Sequence, residues 1–118
     1  MKNNQSFLGF WIRPFLTEYL ITIKNYSINT VRSYRDSLSM FLIFIKDSTK
    51  KRMEQIRLED ITPTLVEKFL KSIEEQRKCS VSTRNQRLAA IHSLAQFIAS
   101  KCPEQVEWSR MVPVSYTH

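Results

Sequence analysis

The sequence predicts an all-α fold of four helices, arranged as two similar helical hairpins. Three observations lead there. The chain holds a single Gly in 118 residues, too few for a Gly-rich phosphate loop, a dinucleotide fingerprint or the turns of most hairpin-rich β folds. Four stretches carry apolar residues at spacings of three and four, the period of a helix with one buried face. The chain also repeats itself at an offset of 53 residues. At this length a single domain buries roughly two-thirds of its surface, so neither disulfides nor metals are needed to hold it.

The first helix is expected over 9–25. Leu8, Trp11, Ile12, Phe15, Leu16, Tyr19, Leu20 and Ile23 form its stripe, and Pro14 is placed in its first turn, where a missing N–H costs little. The second, over 28–47, carries Val31, Tyr34, Leu38, Phe41, Leu42 and Ile45, with Ser27 or Asn29 as its cap. Residues 47–61 read as a charged connector. The third, over 63–77, has the clearest start: Thr62 offers a capping hydroxyl and Pro63 takes the first helical position. Its buried face is Leu65, Val66, Phe69, Leu70 and Ile73. The fourth, over 81–101, starts after Ser80 or Ser82, buries Leu88, Ile91, Leu94, Ala95 and Ile98, and is stopped by Pro103. The domain is drawn as 9–102, between an N-terminal tail at 1–8 and an extended tail or linker at 103–118.

The repeat aligns Ser27-Ile28-Asn29-Thr30 with Ser80-Val81-Ser82-Thr83. It then aligns Leu38 with Ile91, Phe41 with Leu94, and Phe44-Ile45 with Phe97-Ile98. Upstream, Ile12, Leu16 and Leu20 fall on Leu65, Phe69 and Ile73. Two hairpins built alike explain this pattern.

No apolar run approaches the ~18 residues of a spanning helix; the longest is Met40-Phe41-Leu42-Ile43-Phe44-Ile45. Residues Met1–Ser6 lack the apolar stretch of a secretory leader. Cys79 and Cys102 flank the fourth helix and would lie about 30 Å apart at ~1.5 Å per residue, far beyond disulfide reach. Free thiols and no leader predict the cytoplasm and no membrane partner. Cys79, His92, Cys102 and His118 have no metal-ligand spacing, and His92 is expected to be half-buried or on the surface. No paired carboxylates and no marked nucleophile are present, so no catalytic residue, metal or cofactor is expected.

The net charge of +7 and a pI near 9.7 suggest an anionic partner, nucleic acid first. The charge is uneven. From Gln76 to Pro103 there is no Asp or Glu, while Arg77, Lys78, Arg84, Arg87 and Lys101 lie inside that stretch. The third helix, with Glu67, Glu74 and Glu75, is a poor nucleic-acid surface. At ~100° per residue, the outer face of the fourth helix carries Ser82, Asn85, Gln86, Ala89, Ser93 and Gln96. Small and amide side chains without acids suit a phosphate-lined groove, where Asn and Gln read base edges. Arg84 and Arg87 fall on the line of the apolar stripe. They either curl over the rim to phosphates or pair with an acid of another helix. On the second helix Asn29, Arg32, Ser33 and Asp36 face outward with Arg35 on the flank, and Arg32 and Asp36 are spaced to pair. The two helix starts, Ser27–Thr30 and Ser80–Thr83, offer free N–H groups to phosphate.

The segment from Ser27 through Thr30, Tyr34, Leu38 and Phe41, then Ile61-Thr62-Pro63 with Val66 and Phe69-Leu70, then Ser80–Ile91, resembles in order the N-terminal core-binding, SAM-like domain of tyrosine recombinases, the phage integrase family. The likeness covers roughly residues 9–112. It implies a bundle of two helical hairpins crossed at a steep angle, whose second and fourth helices face double-stranded DNA. It implies DNA contacts at Asn29, Thr30, Arg32 and Arg35, and at Ser82, Thr83, Asn85, Gln86 and Arg87. Its partners would be the protein's own C-terminal catalytic domain and other recombinase protomers on DNA. The Pro that follows the helix-start serine in that family is replaced by Ile28 and Val81, and no His-x-x-Arg segment occurs. Tyr116 falls where an interdomain linker would run. Two other readings compete: a helix-turn-helix regulator, disfavoured because a whole helix separates the two basic ones, and a protein–protein adaptor docking through Ile43 and Phe44. With no positioned nucleophile and no cationic clamp, the purified chain is expected to leave supercoiled plasmid unrelaxed and to form no covalent DNA adduct. Relaxation with an adduct would contradict this.

Overall fold

A computed structural model describes residues 4–77 and 80–112. Helix α1, Gly9–Pro14, runs without a break into a π-helical segment, Phe15–Ile23. Helix α2 spans Ile28–Thr49, α3 Pro63–Arg77, α4 Val81–Lys101 and α5 Val106–Arg110. Among the described residues there is no strand, only one isolated antiparallel bridge between Phe7 and Arg57. Cys79 lies outside the described residues. Cys102 is buried and free.

Pro14 is the sixth residue of its helix rather than part of the first turn. It cannot donate to the carbonyl four residues back. The winding widens at the next residue, and the Lys24 N–H closes the segment on the Tyr19 carbonyl, five back, at 2.8 Å. Asn25 then turns the chain with a φ of 55°, a conformation that Asn tolerates better than most residues. Thr62 caps α3 as its sequence implies, accepting from the Leu65 N–H at 3.1 Å.

α4 is the central helix, packed against α2, α3, α5 and the π-helical segment. That is why it buries Ala90 and Phe97 as well as the expected Leu88, Ile91, Leu94, Ala95 and Ile98. Phe15 and Phe97 lie 5.7 Å apart, Tyr19 and Phe97 5.1 Å, and Phe15 and Tyr34 6.2 Å, so aromatic rings tie the first helix to α2 and α4. Phe69 joins α3 to α2 through Phe41 at 5.0 Å and Phe44 at 5.5 Å. Phe44 is therefore partly buried, not an outward docking residue, while Ile43 is exposed. The repeat holds in the core: Leu38 and Ile91, Phe41 and Leu94, and Ile45 and Ile98 are all buried.

The segments expected to be tails pack on this body. Leu8 is buried and Trp11 Nε1 donates to the Gln5 carbonyl at 2.9 Å. Residues 103–112, expected to be extended, form a 3-10 turn at Pro103–Gln105 and then α5. Trp108 Nε1 donates to the Ile61 carbonyl at 3.1 Å, and Val112 is buried. Two apolar residues in a short amphipathic turn are enough to fold the segment back. The connector is ordered by its charges: Asp60 accepts from Lys51 Nζ and the Arg57 N–H, both at 2.8 Å, while Ile56, Leu58 and Ile61 are buried beneath. Trp108→Ala removes a hydrogen bond and partly buried ring area, and is expected to cost about 2–3 kcal/mol, below the ~3–5 of a fully buried aromatic. Chemical denaturation measures it, and an unchanged midpoint would show that α5 does not hold the bundle.

Candidate nucleic-acid interface

The two helix starts singled out by the repeat are built alike. Ser27 caps α2 at φ −67°, ψ 162° and accepts from the Thr30 N–H at 3.3 Å. Ser80 caps α4 at φ −71°, ψ 165° and accepts from the Thr83 N–H at 3.1 Å. Each cap hydroxyl also meets its threonine hydroxyl, at 3.1 and 3.2 Å. These bonds satisfy one backbone donor per helix and leave the neighbouring N–H groups of the first turn facing outward. Ile28 and Val81, the first residue of each helix, are exposed. An apolar side chain there has no core to reach.

The two starts converge in space. Gln86 Nε2 donates to Ser33 Oγ at 3.4 Å, a long contact. Arg87 Nη1 donates to Ser37 Oγ at 2.8 Å. Ser33 and Gln86 are equivalent positions of the repeat, the sixth residue of α2 and of α4. Contact between equivalent positions of two like elements is what a local two-fold axis produces. Asn29, Thr30, Arg32 and Arg35 lie within the first eight residues of α2, and Ser82, Thr83, Asn85, Gln86 and Arg87 within the first seven of α4. Asn29, Arg32, Arg35, Ser82 and Gln86 are exposed, and Thr30, Thr83, Asn85 and Arg87 are half-buried. Asn85 Oδ1 and Arg87 Nε are buried without a hydrogen-bond partner among the described residues.

Several charges behave differently from the sequence expectation. Asp36 meets Arg35, at 3.8 Å on the open surface, not Arg32. A pair with the base on the N-terminal side is the weaker i,i+4 orientation, so Arg32 keeps its charge outward. Arg84 takes the second of its two options: its Nε lies 2.9 Å from Glu74 Oε2, with the side chain only 14% exposed, and it fastens α4 to α3. In the connector Lys51 is held by Asp60, and Arg52 pairs with Glu54 on the open surface. α4 itself carries no acid. Among the described residues Tyr34 is the one titratable group with a clear shift; burial first, and then the neighbouring Tyr26, raises its pKa above the usual phenol value. That is opposite to the lowering that activates a tyrosine nucleophile. His92 is half-buried. Among the described residues no group of three His, Cys, Asp or Glu could hold a metal ion, and no helix is long and apolar enough to cross a membrane.

Sequence reasoning missed Ser37. Nothing in a stripe of Leu38, Phe41 and Ile45 marks the serine beside it as buried. The repeat could have drawn attention to Ser33, because it lies opposite Gln86 at the repeat offset.

Comparison with known proteins adds three findings. The phage integrase N-terminal SAM-like domain family matches residues 15–101. Two proteins of Sinorhizobium fredii (strain NBRC 101917 / NGR234) are similar. One carries the name integrase/recombinase y4rD and is 34% identical over 96 residues, which is 78% of this chain and 34% of the relative. The other, integrase/recombinase y4rC, is 32% identical over 93 residues, 79% of this chain and 28% of the relative. The chain thus spans about a third of the length of the curated relatives it matches. No solved structure matches at comparable stringency.

Proposed function

The chain belongs to the family of phage integrase N-terminal SAM-like domains, and from that premise we propose that it grips double-stranded DNA as the core-binding part of a site-specific tyrosine recombinase. The observation that carries this reading is the meeting of two identically capped helix starts on a face whose one helix, α4, has no acid. Free N–H groups and the helix dipole favour phosphate oxygens at both starts. Ser27, Thr30, Ser80 and Thr83 hold those turns in shape. Arg32 and Arg35 supply mobile cations to phosphate. Asn29, Ser82, Asn85 and Gln86 are short or amide side chains able to approach base edges, and Gln matches the donor and acceptor pair of adenine. Arg87 belongs to the face through the crossing it makes.

Cutting and joining would be the work of a catalytic domain in a longer protein, with further protomers on the same DNA, all in the cytoplasm. A helix-turn-helix regulator fits less well, since the whole of α3 separates α2 from α4. An adaptor docking through Ile43 has one exposed residue to offer, because Phe44 is partly buried against Phe69.

Binding to duplex DNA of random sequence is expected to be weak and electrostatic. Its log affinity should fall with log salt by about 0.9 per phosphate neutralised. Arg32→Ala and Arg35→Ala are each expected to weaken binding to all sequences and to flatten that slope by about one unit. Gln86→Ala is expected to cost roughly 1–3 kcal/mol on the true site and less on random DNA, where only its long contact with Ser33 is lost. Lys71→Ala, on exposed α3, is the control and should change nothing. Fluorescence anisotropy over a salt series reads all four. Equal losses for Lys71 and Arg32 would show that bulk charge alone drives binding.

A further inference from the structure

We propose that Arg87 acts on DNA binding through Ser37, as a positioning residue that holds the starts of α2 and α4 at one spacing and rotation, and not as a phosphate contact. The inference rests on the DNA-gripping reading of this face and deepens it.

Ser37 is the one buried polar residue among the described residues, at 1% exposure. A hydroxyl taken out of water needs partners for both its roles. Ser37 Oγ donates to the Ser33 carbonyl at 3.0 Å and accepts from Arg87 Nη1 at 2.8 Å, so both are filled. The bond is charge-assisted, and among such groups it is a strong one. Arg87 is half-buried, with its Nε out of contact with water. A guanidinium seated that way reaches across the crossing rather than out to a groove.

The pair also does what apolar packing cannot. Leu38 of α2 and Ala90 and Ile91 of α4 are buried in the core that the two helices share, and burial of that kind is non-directional. A helix can slide or roll against it at little cost. Arg87 to Ser37 fixes one point. The weaker contact from Gln86 to Ser33, one helical turn away on α2, fixes a second. Two points set both separation and rotation, and the capped starts stand about two to three turns further on. A shift of the crossing would therefore move both phosphate-binding starts relative to each other. Both would then no longer meet phosphates at once, although no DNA-contacting side chain had changed.

The test uses the whole chain, duplex DNA of random sequence and a salt series. Ser37→Ala, which changes no charge, is expected to weaken binding about 3- to 10-fold, the equivalent of one hydrogen bond, with the salt slope unchanged. Arg87→Ala is expected to weaken it at least as much, and the double variant no more than Arg87→Ala alone. Arg87→Lys keeps a cationic donor of similar reach. It should restore most of the affinity when Ser37 is present and none of it in the Ser37→Ala background. Wild-type affinity for Ser37→Ala, together with a slope flattened by about one unit in Arg87→Ala or rescue by Lys in both backgrounds, would make Arg87 a phosphate contact and overturn the proposal. Arg32→Ala in the same series keeps the two readings apart. If neither the wild type nor this variant shows salt-dependent binding, the DNA reading fails. The coupling of Arg87 with Ser37 is then still read from thermal unfolding of the four proteins without DNA, where additive losses would refute the pairing itself.

Discussion

The arrangement depends on where α2 and α4 cross. Both are long, 22 and 21 residues, yet their polar contacts fall in the first half of each, Gln86 on Ser33 and Arg87 on Ser37. Placing the crossing so near the starts brings two sets of outward backbone donors together. Downstream, both helices carry apolar faces that need cover. The first helix and α3 supply it, through Phe15 and Tyr19 against Phe97 on one side and Phe69 against Phe41 on the other. The core is thus completed by elements that cover the two long helices on both sides of their contact.

The two halves share their caps and then divide the work. At equivalent positions α2 carries Arg32 where α4 carries Asn85, and Ser33 where α4 carries Gln86. One start offers mobile cations, which position a protein on the phosphate backbone without reading sequence. The other offers amides, which can read it. Apart from Asp36, which stands beside Arg35 on α2, the acids near these basic residues are used for pairing elsewhere. Glu74 neutralises Arg84 at the seam of α3 and α4, and Asp60 and Glu54 hold the connector's lysine and arginine. The positive surplus that remains is concentrated by subtraction as much as by placement.

Much of this was legible in the sequence. The boundaries of α2, α3 and α4 follow from hydroxyl caps, Pro63 and Pro103, because a cap is a local interaction written in neighbouring residues. The core stripes follow for the same reason. What was not legible is tertiary. The fold-back of residues 103–112 hangs on Trp108 finding the Ile61 carbonyl, 47 positions away. The burial of Ser37 depends on an arginine 50 positions away. The π-helical winding after Pro14 was missed although the expected start at residue 9 is the observed one: counted from there, Pro14 is sixth and past the first turn, where its missing N–H does have an effect. For the candidate face, the residue types and their two clusters were readable. The outward Arg32 and the stripe-side Arg84 and Arg87 were also separable on the helix wheel, but which partner each of the latter two would find was not, since Glu74 and Ser37 lie on other helices.

The most direct test of the central claim is a nuclear magnetic resonance titration of the chain with duplex DNA, following backbone amides. The account predicts that the largest shifts fall together on residues 27–36 and 80–89, with the same dependence on DNA concentration, while α3 from Leu65 to Ser72 stays still. Shifts centred on α3 or on the connector, or shifts at one helix start without the other, would contradict it.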